Sequence, residues 1–234
     1  MGEKRGEVST VPVYLEVGGR RVFAGALDWA GWCRSGRDEQ AALDALVEYG
    51  PRYRRALGRR AQAKGLRLPQ AASELKVVER LPGDATTDFG APGAEPRADR
   101  QDLGEADAER LAGLLKACWA AFDRTAERHA GARLRKGPRG GGRSLGAMAE
   151  HVRDAEGAYV SRLGGVVDWS AGGDPMDSVR AAFLEAFWIR VRGEPPPRPR
   201  RSGSLWSPSF AVRRSAWHAL DHAWEIEDRV AADA

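Results

Sequence analysis

Two hydrophobic patterns divide the chain. Over residues 11–17 apolar and polar positions alternate as in a strand, and residues 21–27 read as a returning strand after the turn Gly18-Gly19. Asp28-Trp29-Ala30-Gly31-Trp32-Cys33 reads as an irregular aromatic loop. A helix then starts near Arg37-Asp38-Glu39, with Ser35 or Asp38 as its cap and Ala42, Leu43, Leu46, Val47 and Tyr49 as its apolar face. Residues 75–81 predict a third strand. The expected order is β-β-α-β, a small α+β module over residues 11–82.

From residue 105 onward the period changes to that of a helix. Leu111, Leu114, Leu115, Cys118, Trp119 and Phe122 recur at three and four. Further helices are expected over residues 144–163, 174–191 and 208–230. Ser144 and Ser207 or Ser209 are available as N-caps, Pro175 stands at a first helical position, and Gly164-Gly165 is a natural stop. Four amphipathic helices without intervening strands predict an all-α four-helix bundle over residues 105–232. Between the halves, residues 83–104 contain Gly90-Ala91-Pro92-Gly93 and Glu95-Pro96, a composition expected of a linker.

Composition adds bounds. The chain has 234 residues, 42% hydrophobic and 30% charged, as in ordinary globular proteins. No apolar run reaches the ~18 residues that a membrane helix needs. The polar start Met1-Gly2-Glu3-Lys4-Arg5 does not read as a signal peptide, so a cytoplasmic location is expected. Cys33 and Cys118 stand apart and read as buried apolar residues, not as a disulfide framework or thiolate zinc site. The net charge is +4, concentrated in a basic stretch with Arg52, Arg54, Arg55, Arg59, Arg60, Lys64 and Arg67. Such a stretch can meet nucleic acid, but a solvated helix face is the commoner meaning, and nucleic acid is not the expected partner.

The histidines carry the sharpest chemistry. His218 and His222 are four apart on one predicted helix and so share a side of it. His151 lies beside the apolar stripe of the second helix of this half. One imidazole from one helix and two from another can hold a divalent ion and leave coordination positions open. The spacing alone also fits an exposed helical pair with an unrelated His151. Asp221 and Glu225 follow the pair by three residues each and could orient the far ring nitrogens, or pair instead with Arg213, Arg214 or Arg229. His129, before Gly131, reads as a residue at a helix C-terminus.

Two segments, Ala149-Glu150-His151-Val152-Arg153-Asp154-Ala155-Glu156-Gly157-Ala158-Tyr159 and the run from Ala216-Trp217-His218 through Asp221-His222 to Asp228, resemble the H-x-x-x-A-E-x-x-Y and H-x-x-x-H motifs of the DinB/YfiT-like superfamily of metal-binding four-helix bundles. The resemblance implies that His151, His218 and His222 bind zinc, nickel, iron or manganese. It also implies an S-transferase or isomerase using a low-molecular-weight thiol, or a hydrolase, acting on a small-molecule substrate. In the N-terminal half, Ala26-Leu27-Asp28-Trp29-Ala30-Gly31-Trp32-Cys33 and Ser35-Gly36-Arg37-Asp38-Glu39-Gln40-Ala41 are loosely similar to the loop and helix start of HicB-type modules. The alternatives to an enzyme are a non-catalytic binding or stress-response protein, and a toxin-antitoxin-like or nucleic-acid-associated protein led by that module.

Two basic loops adjoin predicted helices. Lys136-Gly137-Pro138-Arg139-Gly140-Gly141-Gly142-Arg143 and Arg198-Pro199-Arg200-Arg201-Ser202-Gly203 suit an anionic cofactor, with Arg139, Arg143 and Arg200 as candidate contacts. A flexible basic connection is the plainer meaning. Trp217 and Trp224 are expected on the side of the last helix away from the histidines, where they could face another helix or a second subunit of a homodimer. Trp29 and Trp32 are candidates for binding a partner between the halves.

Overall fold

The alternation at residues 11–17 becomes strand β1 (Val11–Val17), which pairs antiparallel with β2 (Val22–Ala26), Val17 opposite Val22. The computed structural model describes residues 10–60, 65–136, 142–170, 172–198 and 204–230. They form a four-stranded sheet in the N-terminal half followed by helices, an α+β mixture that divides into two units, Met1–Pro96 and Arg97–Ala234.

The first unit has the strand order β3-β2-β1-β4, with β3 (Cys33–Gly36) antiparallel to β2 and β4 (Leu75–Pro82) parallel to β1. β3 was expected as the end of a loop. Its sequence, Cys-Arg-Ser-Gly, has no alternation, and it is extended because it completes the hydrogen bonding of β2. Helix α1 (Glu39–Leu57) starts at Asp38, whose carboxylate accepts from the Ala41 amide. It buries Ala42, Leu46, Tyr53 and Leu57. Arg54, Arg55, Arg59 and Arg60 are exposed, so this part of the basic stretch is a solvated face.

Trp29 and Trp32 belong to this core rather than to a partner surface. Trp32 stacks on Tyr53 at 5.5 Å and donates to the Leu46 carbonyl, while Tyr53 Oη donates to Ala30 O. Each buried polar tip therefore has an acceptor.

Residues 83–96 are more than the linker their composition predicts. Asp84 caps a five-residue helix, α2 (Ala85–Phe89), through a reciprocal capping box with Thr87. Asp88 then accepts from the Gly19 and Arg20 amides of the β1–β2 turn. Neither Gly18 nor Gly19 has positive φ. Glycine is needed at residue 18 for room, since a Cβ there would stand 2.5 Å from Asp88 Oδ1. The fully buried Glu16 carboxylate accepts from Thr87 Oγ1 and from the amides of Gly93 and Ala94. These three donors make burial of that acid tolerable and tie the segment to β1.

The second unit has four long helices, α3 (Glu105–Arg128), α4 (Leu145–Leu163), α5 (Pro175–Val191) and α6 (Pro208–Arg229). Their ends follow local chemistry. Ser144, Asp174 and Ser207 accept from first-turn amides, and Gly164 closes α4 at φ 82°. His129 is the C-cap residue of α3. Helix α6 is buried on nearly every side and packs against the other three. Trp217 and Trp224 are therefore buried too, rather than set aside for a second subunit. Before α3, Asp99 in the short turn Arg97–Arg100 forms a buried bidentate pair with Arg213, both contacts at 2.7 Å. Among the described residues no helix is long and apolar enough to cross a membrane.

Candidate metal centre

His151 projects from α4, and His218 and His222 from α6, where spacing by four places both rings on one side of the helix. The Nε2 atom of His218 lies 3.3 Å from His151 Nε2 and 3.2 Å from His222 Nε2. One ligand atom from each residue falls within a 4.8 Å cluster. Two imidazole nitrogens bound tetrahedrally at ~2.0–2.1 Å from one ion would stand about 3.3 Å apart. The two measured separations have that value. His218 and His222 are buried, at 6% and 8% exposure, and His151 is partly exposed, so one side of the cluster faces outward.

The surroundings of His218 and His151 favour the neutral ring. Burial holds His218 well below the ordinary imidazole pKa, aided by His222 and by the charge of Arg214. Burial also lowers His151, with His222 and Arg143 acting in the same direction. A neutral imidazole is the ligating form.

The second partners differ between the rings. His222 Nδ1 lies 2.9 Å from Glu225 Oε2. An ionised carboxylate only accepts, so Nδ1 is the donor of this contact, and Nε2 is the ring nitrogen that faces His218. Glu225 is held at about 2, first by the hydrogen bond from His222 and also by Arg229. Arg229 Nη1 donates to Glu225 Oε1 at 2.6 Å, while its Nε donates to the Arg135 carbonyl and its Nη2 to the Arg143 carbonyl. The expected role of Glu225 and its alternative, pairing with Arg229, are thus both realised. Asp221 does not play the matching role for His218. Among the described residues, His218 Nδ1 is buried with no hydrogen-bond partner.

Arg143, a candidate contact for an anionic cofactor, is close enough for its charge to act on His151 and His218. Arg139 and Arg200 lie outside the described residues. Two further residues, Tyr159 and Arg214, adjoin the centre, where the sequence offered Arg214 only as a pairing partner for Asp221 or Glu225. Tyr159 lies with its ring 5.9 Å from His218, and Arg214 stands over the rings of Tyr159 and Trp217 at 5.5 and 4.6 Å. The position of Arg214, four residues before His218, was a usable signal.

A separate buried node lies deeper in the unit. Glu156 accepts from Trp119 Nε1 at 2.8 Å and Ser215 Oγ at 2.8 Å, linking α4 to α3 and α6. Burial raises its carboxyl to about 7. Both cysteines are buried and free, as expected. No family model, curated protein or solved structure matches the chain.

Proposed function

We propose that the second unit is a four-helix bundle of the DinB/YfiT-like kind and that it binds one divalent ion through His151, His218 and His222. The observation that carries this reading is the pair of Nε2 separations, 3.3 and 3.2 Å, among three rings of which two are buried. The mutual packing of α3, α4, α5 and α6 supports the bundle. All-nitrogen ligation suits zinc, nickel or iron, with manganese the softer fit.

The protein is then a metal-dependent enzyme, a thiol S-transferase or hydrolase acting on a small molecule. An ion on three neutral imidazoles lowers the pKa of a bound thiol or water and so supplies a nucleophile. The chain's own residues hold and orient the site. Glu225 fixes the tautomer of His222, Arg229 fixes Glu225, and the aromatic wall of Tyr159 and Trp217 limits access of bulk water. Cys118 is not a rival nucleophile, because full burial pushes its thiol pKa far up.

The test is elemental analysis of untagged protein beside a variant with His151, His218 and His222 changed to Ala. About one equivalent of metal in the wild type and none in the variant is expected. Absence of metal from the wild type after reconstitution would remove the enzyme reading and leave a binding module.

A further inference from the structure

Among the described residues, Arg214 is a cation without a counter-ion beside the candidate centre. Its guanidinium carbon lies 4.6 Å from the Trp217 ring centroid and 5.5 Å from that of Tyr159. The same two rings lie 6.1 and 5.9 Å from His218. Arg214 and His218 thus share two aromatic neighbours and, one helical turn apart, one side of α6. Among the described residues Arg214 makes no ion pair, and its Nη1 is buried with no hydrogen-bond partner. The arginines around it differ. Arg213 is paired with Asp99, Arg180 with Asp123, and Arg229 with Glu225. An arginine donor buried without an acceptor loses its hydration with nothing in exchange. Stacking on rings covers the faces of a guanidinium and leaves its in-plane N–H edge, which matches the flat fork of a carboxylate.

We infer that Arg214 is the ligand-binding residue of this centre for a carboxylate, so that the site takes a small carboxylic acid whose acid group meets Arg214 while another donor of the same molecule faces the three histidines. This deepens the metal-centre reading and rests on it. A carboxylate at Arg214 would supply the acceptor that its Nη1 lacks. It would also make the site discriminate between two thiols of similar size that differ only in the acid group.

The experiment uses the full chain loaded with cobalt(II), whose absorption reports thiolate ligation, titrated with 3-mercaptopropionate and with 2-mercaptoethanol. Wild type is compared with Arg214→Gln and Arg214→Lys, each checked for cobalt content and for an unchanged circular-dichroism melt. The wild type is expected to prefer 3-mercaptopropionate by roughly tenfold or more, the effect of one charge-assisted hydrogen bond. Arg214→Gln is expected to lose that preference with cobalt content unchanged, and Arg214→Lys to recover part of it. A preference that survives in Arg214→Gln overturns the assignment of Arg214 and leaves the metal centre standing. If the wild type takes up no cobalt, the metal-centre reading fails by itself. Arg214 is then judged by quenching of tryptophan fluorescence with the same two compounds, Trp217 being the reporter, and equal quenching in wild type and Arg214→Gln overturns it there too.

Discussion

Glu156 shows how a single buried carboxyl sets the pH response of this fold. Its carboxyl is raised to about 7 by burial, against the lowering effect of the Ser215 and Trp119 hydrogen bonds. The folded chain therefore holds this proton more tightly than the unfolded chain does, and between pH 4.5 and 7 it binds more protons. Stability from this group is fully present below about 4.5 and declines as pH rises through 7, by about 3 kcal/mol in all. Glu156→Gln keeps an acceptor for Trp119 and cannot ionise. It should match the wild type near pH 4 and exceed it at pH 8 by ~1–3 kcal/mol in urea unfolding; identical pH slopes in the two proteins would refute the assignment. Glu225 acts instead on His222, one of the candidate metal ligands. Glu225→Ala should weaken zinc binding ~10–100-fold in chelator competition, with Glu225→Gln in between, because an amide oxygen can still accept from His222 Nδ1. His218, His222 and Glu225 were legible because each sits at a helical spacing from another, and His151 because it lies beside the apolar stripe of its own helix. Arg214 and Glu156 were not assigned, since their meaning depends on what other helices bring: Tyr159 for the first, Trp119 and Ser215 for the second.

At the scale of elements, the helices with local end signals were readable and the elements held by distant partners were not. Ser144, Asp174, Ser207 and Gly164 mark helix ends through their own side chains or backbone, so capping rules find them. Strand β3 and helix α2 are short and lack periodicity. The first exists through β2 and the second through Asp84, Thr87 and the docking of Asp88 on the β1–β2 turn. The turn Arg97–Arg100 is a third case, because Asp99 finds its partner 114 residues away in Arg213. Removing one side of such a pair leaves a buried charge. Arg213→Met should destabilise the second unit by ~3–5 kcal/mol, and adding Asp99→Leu should restore much of that loss. The comparison of urea midpoints for the single and double variants decides it. If the double variant is no better than the single, then the loss comes from packing of the Arg213 side chain rather than from the orphaned Asp99.

For the whole molecule, the boundary between units decides which residues the metal centre needs. Composition suggested a break over residues 83–104, but the two units meet at Pro96 and Arg97, and that segment is shared between them. Residues 83–96 are tied to β1 through Glu16, and Asp99 is tied to α6 through Arg213. Every contact described for the three histidines, Glu225, Arg229 and Arg214 lies within residues 97–234. A fragment of residues 97–234 should therefore fold and bind the same one equivalent of metal as the full chain, with an affinity within about threefold, an energy difference under ~1 kcal/mol. A fragment of residues 105–234, cut at the start of α3 as composition alone would suggest, lacks Asp99 and leaves the buried Arg213 without its acid. It should unfold at lower urea, a loss of ~3–5 kcal/mol. Its metal affinity should fall as well, since α6 carries Arg213 only five residues before His218 and an unstable fold binds less at a given metal concentration. Metal titrations and urea melts of the two fragments beside the full chain check both statements. Equal stability of the two fragments would mean that Arg213 finds another acceptor; failure of the longer one to bind metal would mean that the first unit contributes to the centre.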